Sequence, residues 1–237
     1  MSDVNPTAPE VKPPTVHVLP PGLGRLAAHA GTEGRFALGA VQVRFPSADT
    51  FVAEATDTKH LVRIEGPTVV PAAEFPDVPG LSAAPNGAAK ALVPATSWAK
   101  AFKSATSIKC RGSNKALGAV ACVTGTERTT FAATNLEQFV CETTFNVTGK
   151  FPDSDTIVSK TVRETKGGAG VAKVAFDPKL LIDILRTAET ALGDIDNRVE
   201  MSFPIDKDGK PTVKAVLITA QNNTDGRKMT ALLMPLS

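Results

Sequence analysis

Asp57 and His60, three positions apart, are residue types that can share a proton, a carboxylate orienting an imidazole for general acid–base work. Hydrolysis by such a pair also needs a nucleophile, and no Gly-x-Ser-x-Gly accompanies it. At a hairpin tip Asp57 has another use, closing the turn with its own side chain. The three histidines, His17, His29 and His60, fall in separate elements without His-x-x-x-His spacing. Cys110, Cys122 and Cys141 are odd in number and lack Cys-x-x-Cys spacing, so neither a metal site nor a disulfide framework is indicated; buried thiols in strands are expected. Asp153, Asp155 and Glu164 read as loop carboxylates. Lys166-Gly167-Gly168-Ala169-Gly170 has the composition of a phosphate cradle, but a cradle opens a helix, and here a strand, Val171 to Phe176, is expected to follow. No catalytic group, cofactor or metal is assigned, and the chain reads as no enzyme. What remains is a set of cations on expected helices: Arg25 with His29, Lys100 with Lys103, and Lys179 with Arg186. On spacing alone they are solvated helix faces.

The elements that carry these residues repeat. Leu38-Gly39-Ala40-Val41 returns as Leu117-Gly118-Ala119-Val120, Ala55-Thr56-Asp57 as Ala133-Thr134-Asn135, Leu61-Val62 as Phe139-Val140, and Phe75-Pro76-Asp77 as Phe151-Pro152-Asp153. A period near eighty residues with slow drift marks a duplicated supersecondary unit with small loop insertions. Within the first copy, residues 36–66, Val41, Val43 and Phe45, then Phe51, Ala53 and Ala55, then Leu61 and Ile64 are the apolar positions. That pattern predicts a three-stranded antiparallel meander with one buried face. The second meander covers roughly 107–147.

Each meander is preceded by a strand and a helix. Val16 to Leu19 is a strand, and LGRLAAHAG a short helix ending at Gly31, with Leu23, Leu26, Ala27 and Ala30 on one face and Arg25 and His29 on another. A Pro-, Gly- and Ala-rich surface connector spans Pro67 to Lys90. Ala91 to Pro94 is a strand, and Thr96 or Ser97 caps a helix through Ser104 whose apolar face is Trp98, Ala101, Phe102 and Ala105. Thr161 to Gly170 is expected as a charged, glycine-rich loop. A third helix follows, capped by Asp177 with Pro178 at its first position and stopped by Gly193. Leu180, Leu181, Ile184, Leu185 and Ala188 form its stripe, with Lys179, Asp183, Arg186 and Thr187 facing away. Three strands close the chain, Val199 to Phe203, Val213 to Gln221 and Met229 to Leu236, joined by two Asp-Gly turns.

The order is therefore strand, helix, three strands, written three times. This predicts an α+β fold of repeated β-α-β-β-β units with helices on one side of continuous antiparallel sheet. Residues 1–15, with four prolines among polar residues, are expected as an extended or disordered tail; 16–160 form a two-unit domain and 161–237 a third unit. With 237 residues and 42% hydrophobic content the chain can bury a core. No apolar run spans a bilayer and the first residues lack a signal-peptide core, which places the protein in the cytoplasm. Twenty-six basic against 24 acidic residues say nothing of nucleic acid by themselves, and 5% aromatics with a single Trp98 and no tyrosine argue against base-stacking recognition of single strands.

Five segments in order resemble one family, the DNA sliding clamps, and specifically the beta subunit of bacterial replicative DNA polymerase III. They are ALGAVQV, VAEATDTKHLV, ALVPATSWAKAFKSA, GKFPDSDTIV, and VAFDPKLLIDIL with the terminal LLMPL. The likeness runs from about residue 16 to the end. It implies a ring of domains with helices lining a central hole and sheets outside. It further implies a non-catalytic processivity factor that associates with double-stranded DNA without sequence preference and docks replication and repair partners. Arg25, Lys100, Lys103, Lys179 and Arg186 would then contact phosphates. A hydrophobic pocket for partner peptides, from polymerases and other clamp-binding proteins, maps onto Thr56, Leu61, Met234, Pro235 and Leu236. Thr58, Lys59 and His60 replace the family's Gly-His-Arg, Ser159 stands where a proline is expected, and the chain ends without the usual final basic and apolar residues. Three units against the family's six imply a homo-oligomer, four chains for a twelve-unit ring. The alternative is a monomeric clamp-fold interaction module that has lost DNA encirclement.

Overall fold

The computed structural model describes residues 15–31, 37–81, 87–110, 114–165, 176–193, 199–203 and 215–234, with only the backbone of 162–165. The expected tail, apart from Thr15, the glycine-rich loop at 166–170, the strand at 171–175 and the Asp206 turn lie outside these residues.

Eleven strands and three α-helices are described. The first unit is β1 (Val16–Leu19), a 3-10 helix (Pro21–His29), β2 (Ala40–Ser47), β3 (Thr50–Thr56) and β4 (His60–Pro67). The second is β5 (Lys90–Pro94), α1 (Ala95–Ser107), β6 (Val120–Thr124), β7 (Arg128–Thr134) and β8 (Phe139–Phe145). Then come α2 (Ser154–Thr165), α3 (Pro178–Leu192), β9 (Val199–Ser202), β10 (Val216–Gln221) and β11 (Lys228–Leu233). The two predicted meanders and the repeat are present.

The strands form two antiparallel sheets, ordered β1-β6-β7-β8 and β5-β2-β3-β4-β11-β10-β9, rather than one continuous sheet. Each unit lends its first strand to the other: Val16 to Leu19 pair with Val123 to Val120, and Lys90 to Pro94 pair with Arg44 to Ala40. This exchange locks the two copies together. The third meander extends the first unit's sheet, Leu61 opposite Leu232 and Val62 opposite Ala231.

One side of both sheets carries the helix layer. Leu23 and Leu26, Trp98 and Phe102 of α1, and Ile184, Ala188 and Leu192 of α3 share a core with Val41, Val43, Ala53, Ile64, Phe131, Ile218 and Met229. The 3-10 helix lies in the middle, tied to α1 by a hydrogen bond from Trp98 Nε1 to the Leu23 carbonyl at 2.8 Å. Two glycines permit this crowding. A Cβ on Gly22 would collide with the Thr190 carbonyl of α3, and one on Gly24 would lie 2.8 Å from Phe102 Cβ of α1. The C-terminal carbonyls of α3 are taken up by the β10–β11 turn: Asn222 Nδ2 donates to Leu192 O at 2.6 Å, and the Arg227 guanidinium donates to Ala191 O and Leu192 O.

The predicted single buried face is corrected: the opposite sides of the sheets are covered too. Phe75, Val78 and Leu81 of the connector pack with Val18, Ala121, Val123 and Ala132. On the other sheet α2 lies across the outer face, where Val158 packs against Leu61, Leu217 and Leu232. Residues 161–165, expected as loop, continue α2, and Asp153, read as a loop carboxylate, caps it by accepting from Thr156 N and Oγ1 at 3.1 and 2.7 Å. Neither Thr96 nor Ser97 caps α1, which starts directly after Pro94, where proline's fixed φ leads into the helix. Asp177 does cap α3, its carboxylate accepting from Lys179 N at 2.8 Å, and Gly193 ends it at φ +74°. Of the thiols, Cys122 is buried in β6, where burial raises its pKa, Cys141 in β8 is partly buried, and Cys110 is exposed.

Candidate functional site

The duplicated hairpin tips have the same construction. In the first, Thr56 Oγ1 donates to His60 O at 2.6 Å and the Asp57 carboxylate accepts from Lys59 N and His60 N at 2.9 and 3.0 Å. In the second, Thr134 Oγ1 donates to Gln138 O at 2.9 Å and the Asn135 side chain accepts from Glu137 N and Gln138 N at 3.1 and 2.7 Å. The repeated Ala-Thr-Asp/Asn is thus a turn device, as expected of Asp57. In the first copy only, it also delivers an imidazole inward.

That imidazole belongs to a buried chain of polar groups. His60 Nδ1 lies 2.9 Å from Asp57 Oδ1, His60 Nε2 lies 2.8 Å from His29 Nδ1, His29 Nε2 lies 2.7 Å from Thr187 Oγ1, and Thr187 Oγ1 reaches Asp183 O at 2.8 Å. Burial pushes both imidazole pKa values down, His29 to about 4. His29 and Thr187 are each 1% exposed, so no substrate meets them. Both contradict the sequence reading, which put them on outward faces. The cause for His29 is helix type: at three residues per turn, Leu23, Leu26 and His29 stack on one face, whereas a 3.6 period would turn His29 away. Thr187 lies beside Ala188 and Ala191 on a stripe wider than the leucines mark, as the middle helix covers that side of α3.

Arg25, Lys100, Lys103, Lys179 and Arg186 are all exposed, on helices whose other faces enter the core. The 3-10 helix sits between α1 and α3, so the five belong to one layer. Lys100 Nζ also reaches Glu142 Oε2 of β8 at 3.3 Å, an exposed pair worth under about 1 kcal/mol.

Of the expected pocket residues, Thr56 and Leu61 are buried, Leu61 with Leu217, Leu232 and Val158. Met234 is 47% exposed, its amide donating to Lys59 O at 3.2 Å, which brings it to the same junction of β4 and β11. Pro235 and Leu236 lie outside the described residues. Beside Leu61 on this outer face runs a charged row missed in the sequence. Glu54, fully buried, accepts from Arg63 Nε at 3.0 Å and Gln42 Nε2 at 2.6 Å, with Arg44 Nε at 3.3 Å. Arg44 and Arg63 both bond Asp155 at the start of α2, and these guanidiniums, Arg44 foremost, hold its carboxyl at about 2. The period-2 spacing of Gln42 with Arg44 and their cross-strand register with Glu54 and Arg63 were the available signal.

Among the described residues no cluster of metal-ligating side chains occurs, and no helix is long and apolar enough to cross a membrane.

No protein-family model matches this chain, and no curated protein sequence does. Solved structures do match. A DNA polymerase sliding clamp from Bacillus subtilis superposes with a TM-score of 0.57 at 15% identity, over 99% of this chain and 67% of that one. A sliding clamp, DNA polymerase III subunit beta, from Pseudomonas aeruginosa bound to griselimycin gives 0.56 at 15% identity, over 98% and 68%. The chain thus spans about two thirds of those chains, more than the half that three units out of six implies. Strand exchange between paired units, one helix layer and antiparallel sheets give this chain the fold of the bacterial DNA polymerase sliding clamps.

Proposed function

We propose that the protein is a non-catalytic, clamp-like factor that associates with duplex DNA without sequence preference and docks replication or repair partners. The observation that carries it is the placement of Arg25, Lys100, Lys103, Lys179 and Arg186, all solvent-exposed and all on the layer formed by the 3-10 helix, α1 and α3. Lysine and arginine spread over a helix layer, without base-stacking aromatics beside them, suit phosphates rather than base edges. In this reading residues 16–160 form a two-unit domain and 161–237 a third unit, and the protein works in the cytoplasm.

The proposed partner-peptide site is the β4–β11 junction, where Leu61 lies opposite Thr56 on β3 and Leu232 on β11 and the Met234 amide bonds Lys59 O, with Pro235 and Leu236 following in the chain. A homo-oligomer is favoured by internal symmetry. β4 is covered along its edge by β11, while its repeat counterpart β8 is, among the described residues, a sheet edge with Phe139 and Phe145 exposed. The alternative, a monomeric clamp-fold interaction module, would leave that edge unpaired.

The test reverses charge at Lys103, Lys179 and Arg186 with glutamate and measures binding to duplexes of unrelated sequence across a salt series. Each phosphate contact removed lowers the slope of log affinity against log salt by about 0.9. Equal binding to all sequences, weakened in the triple variant with the fold intact, is the expected result. An unchanged slope would remove the helix layer from DNA contact.

A further inference from the structure

Asp57, His60, His29 and Thr187 join three separate elements: the β3–β4 turn, the 3-10 helix and α3. Counting protons is informative along the three links from His60 Nε2 to Asp183 O, because each holds one hydrogen; His60 Nδ1, 2.9 Å from Asp57 Oδ1, lacks the alignment of a hydrogen bond, so that carboxylate acts on it by charge. With both rings neutral, the Asp57 carboxylate favours hydrogen on His60 Nδ1. His60 Nε2 then accepts from His29 Nδ1, and His29 Nε2 accepts from the Thr187 hydroxyl. In that direction Thr187 cannot also donate to Asp183 O, 2.8 Å away. Adding one proton reverses the chain by shifting hydrogens alone, with no heavy atom displaced: His60 Nε2 donates to His29 Nδ1, His29 Nε2 donates to Thr187, and Thr187 donates to Asp183 O. The charge then sits on His60, beside Asp57. A second proton has no place, since two N–H groups would face one another across the 2.8 Å between the rings.

We propose that these four side chains form a one-proton relay clipping the 3-10 helix, with α3 bonded to it, to the β3–β4 turn, in which the first proton is accommodated by reversal and the second drives the two imidazoles apart and releases the 3-10 helix from the turn. Among the other charged groups facing the pair, Asp57 and, from α3, Asp183 favour charging either ring, while a charged His60 foremost and Arg25, on the 3-10 helix itself, oppose charging His29, so the order of the two steps rests on the shared hydrogen between the rings. The sheets have no part in the release, for β4 and β11 stay joined over residues 60–65 and 228–233.

The chain has three histidines, so ring nitrogen NMR on the whole protein assigns each one, with His17, stacked on Phe45, as an internal control. Ring signals and amide exchange are followed together from pH 7.5 to 3.5. His60 should charge first with protection of the 3-10 helix unchanged. His29 should charge in a later step, and in that step exchange over the 3-10 helix, Pro21–His29, should accelerate at least about tenfold while β2 to β4 hold. Asp57→Asn removes the countercharge but keeps the turn, as Asn135 does in the second repeat, and should move the His60 step to more acid pH. Thr187→Val should do the same by removing the acceptor for His29. Independent titration of the two rings at the ordinary histidine value, 3-10 helix protection constant through both steps, or a His60 step unmoved in Asp57→Asn would each overturn the relay.

Discussion

Thr58 and Leu136 occupy the same place in the two copies of the repeat, and both hold a left-handed backbone, at φ 80° and 75°. In each tip the amide of this residue lies over the preceding threonine hydroxyl, at 3.3 and 3.0 Å, so the side-chain turn forces the conformation. Left-handed backbone costs an ordinary L-residue about 1 kcal/mol or more, and least for asparagine. Leu136 is 70% exposed and gives up little burial when replaced. Leu136→Asn should therefore stabilise the protein by about 0.5 kcal/mol, read as a midpoint shift in urea with unchanged slope. A destabilised variant would mean that Leu136 is covered in solution.

Gly22 should tolerate no side chain. Its missing Cβ faces the Thr190 carbonyl and lies 2.6 Å from the Ala191 Cα, backbone that the Arg227 and Asn222 bonds hold in place. Gly22→Ala is expected to cost at least about 2 kcal/mol, through displacement of α3 rather than any helix propensity. Near-wild-type stability would show that α3 can slide on the 3-10 helix.

The repeat, both meanders and the α3 caps were legible because each rests on local spacing: alternation, Asp177 before Pro178, Gly193 after Leu192. Three features were not. The burial of His29 depended on three rather than 3.6 residues per turn, which composition does not disclose. The pairing of β4 with β11 joins residues more than 160 positions apart, and an alternating strand does not name its neighbour. The position of α2 on the outer face follows from Asp155 meeting Arg44 and Arg63, a contact across 111 and 92 positions. The five helix cations were legible as exposed, since an apolar stripe fixes its opposite; Thr187 was misplaced because a small polar residue can join a stripe when a partner on another helix bonds its hydroxyl.

Arg63 is a sensitive position on the outer face. Replacing it by methionine leaves the buried Glu54 carboxylate with only Gln42 and the partly exposed Arg44. Loss of one member of a buried ion pair costs about 3–5 kcal/mol, and Arg63→Met should fall in that range. Converting the pair together, Arg63→Met with Glu54→Leu, removes the uncompensated charge and should recover most of the loss. Asp155→Ala, at the exposed end, should cost less than about 1 kcal/mol. Chemical denaturation of the three variants checks the ordering; a double variant no better than Arg63→Met would mean that packing, not charge, sets the cost.

Phe139 and Phe145 stand exposed at 53% and 65% at the two ends of the edge strand β8, the second under the Arg128 guanidinium at 4.4 Å. An apolar edge is a template for another strand, and lysine on such an edge is the usual means of preventing pairing. Because both side chains are largely outside the core, Phe139→Lys with Phe145→Lys should change stability by no more than about 0.5 kcal/mol. Any change in solution mass then reports the edge itself. Light scattering over a concentration series should give a discrete oligomer for the native chain and a monomer for the double variant. A native monomer at every concentration would favour the interaction module over a ring and make the Leu61 and Met234 junction the place to look for a partner. An oligomer that survives both lysines would put the subunit contact on a different surface from β8.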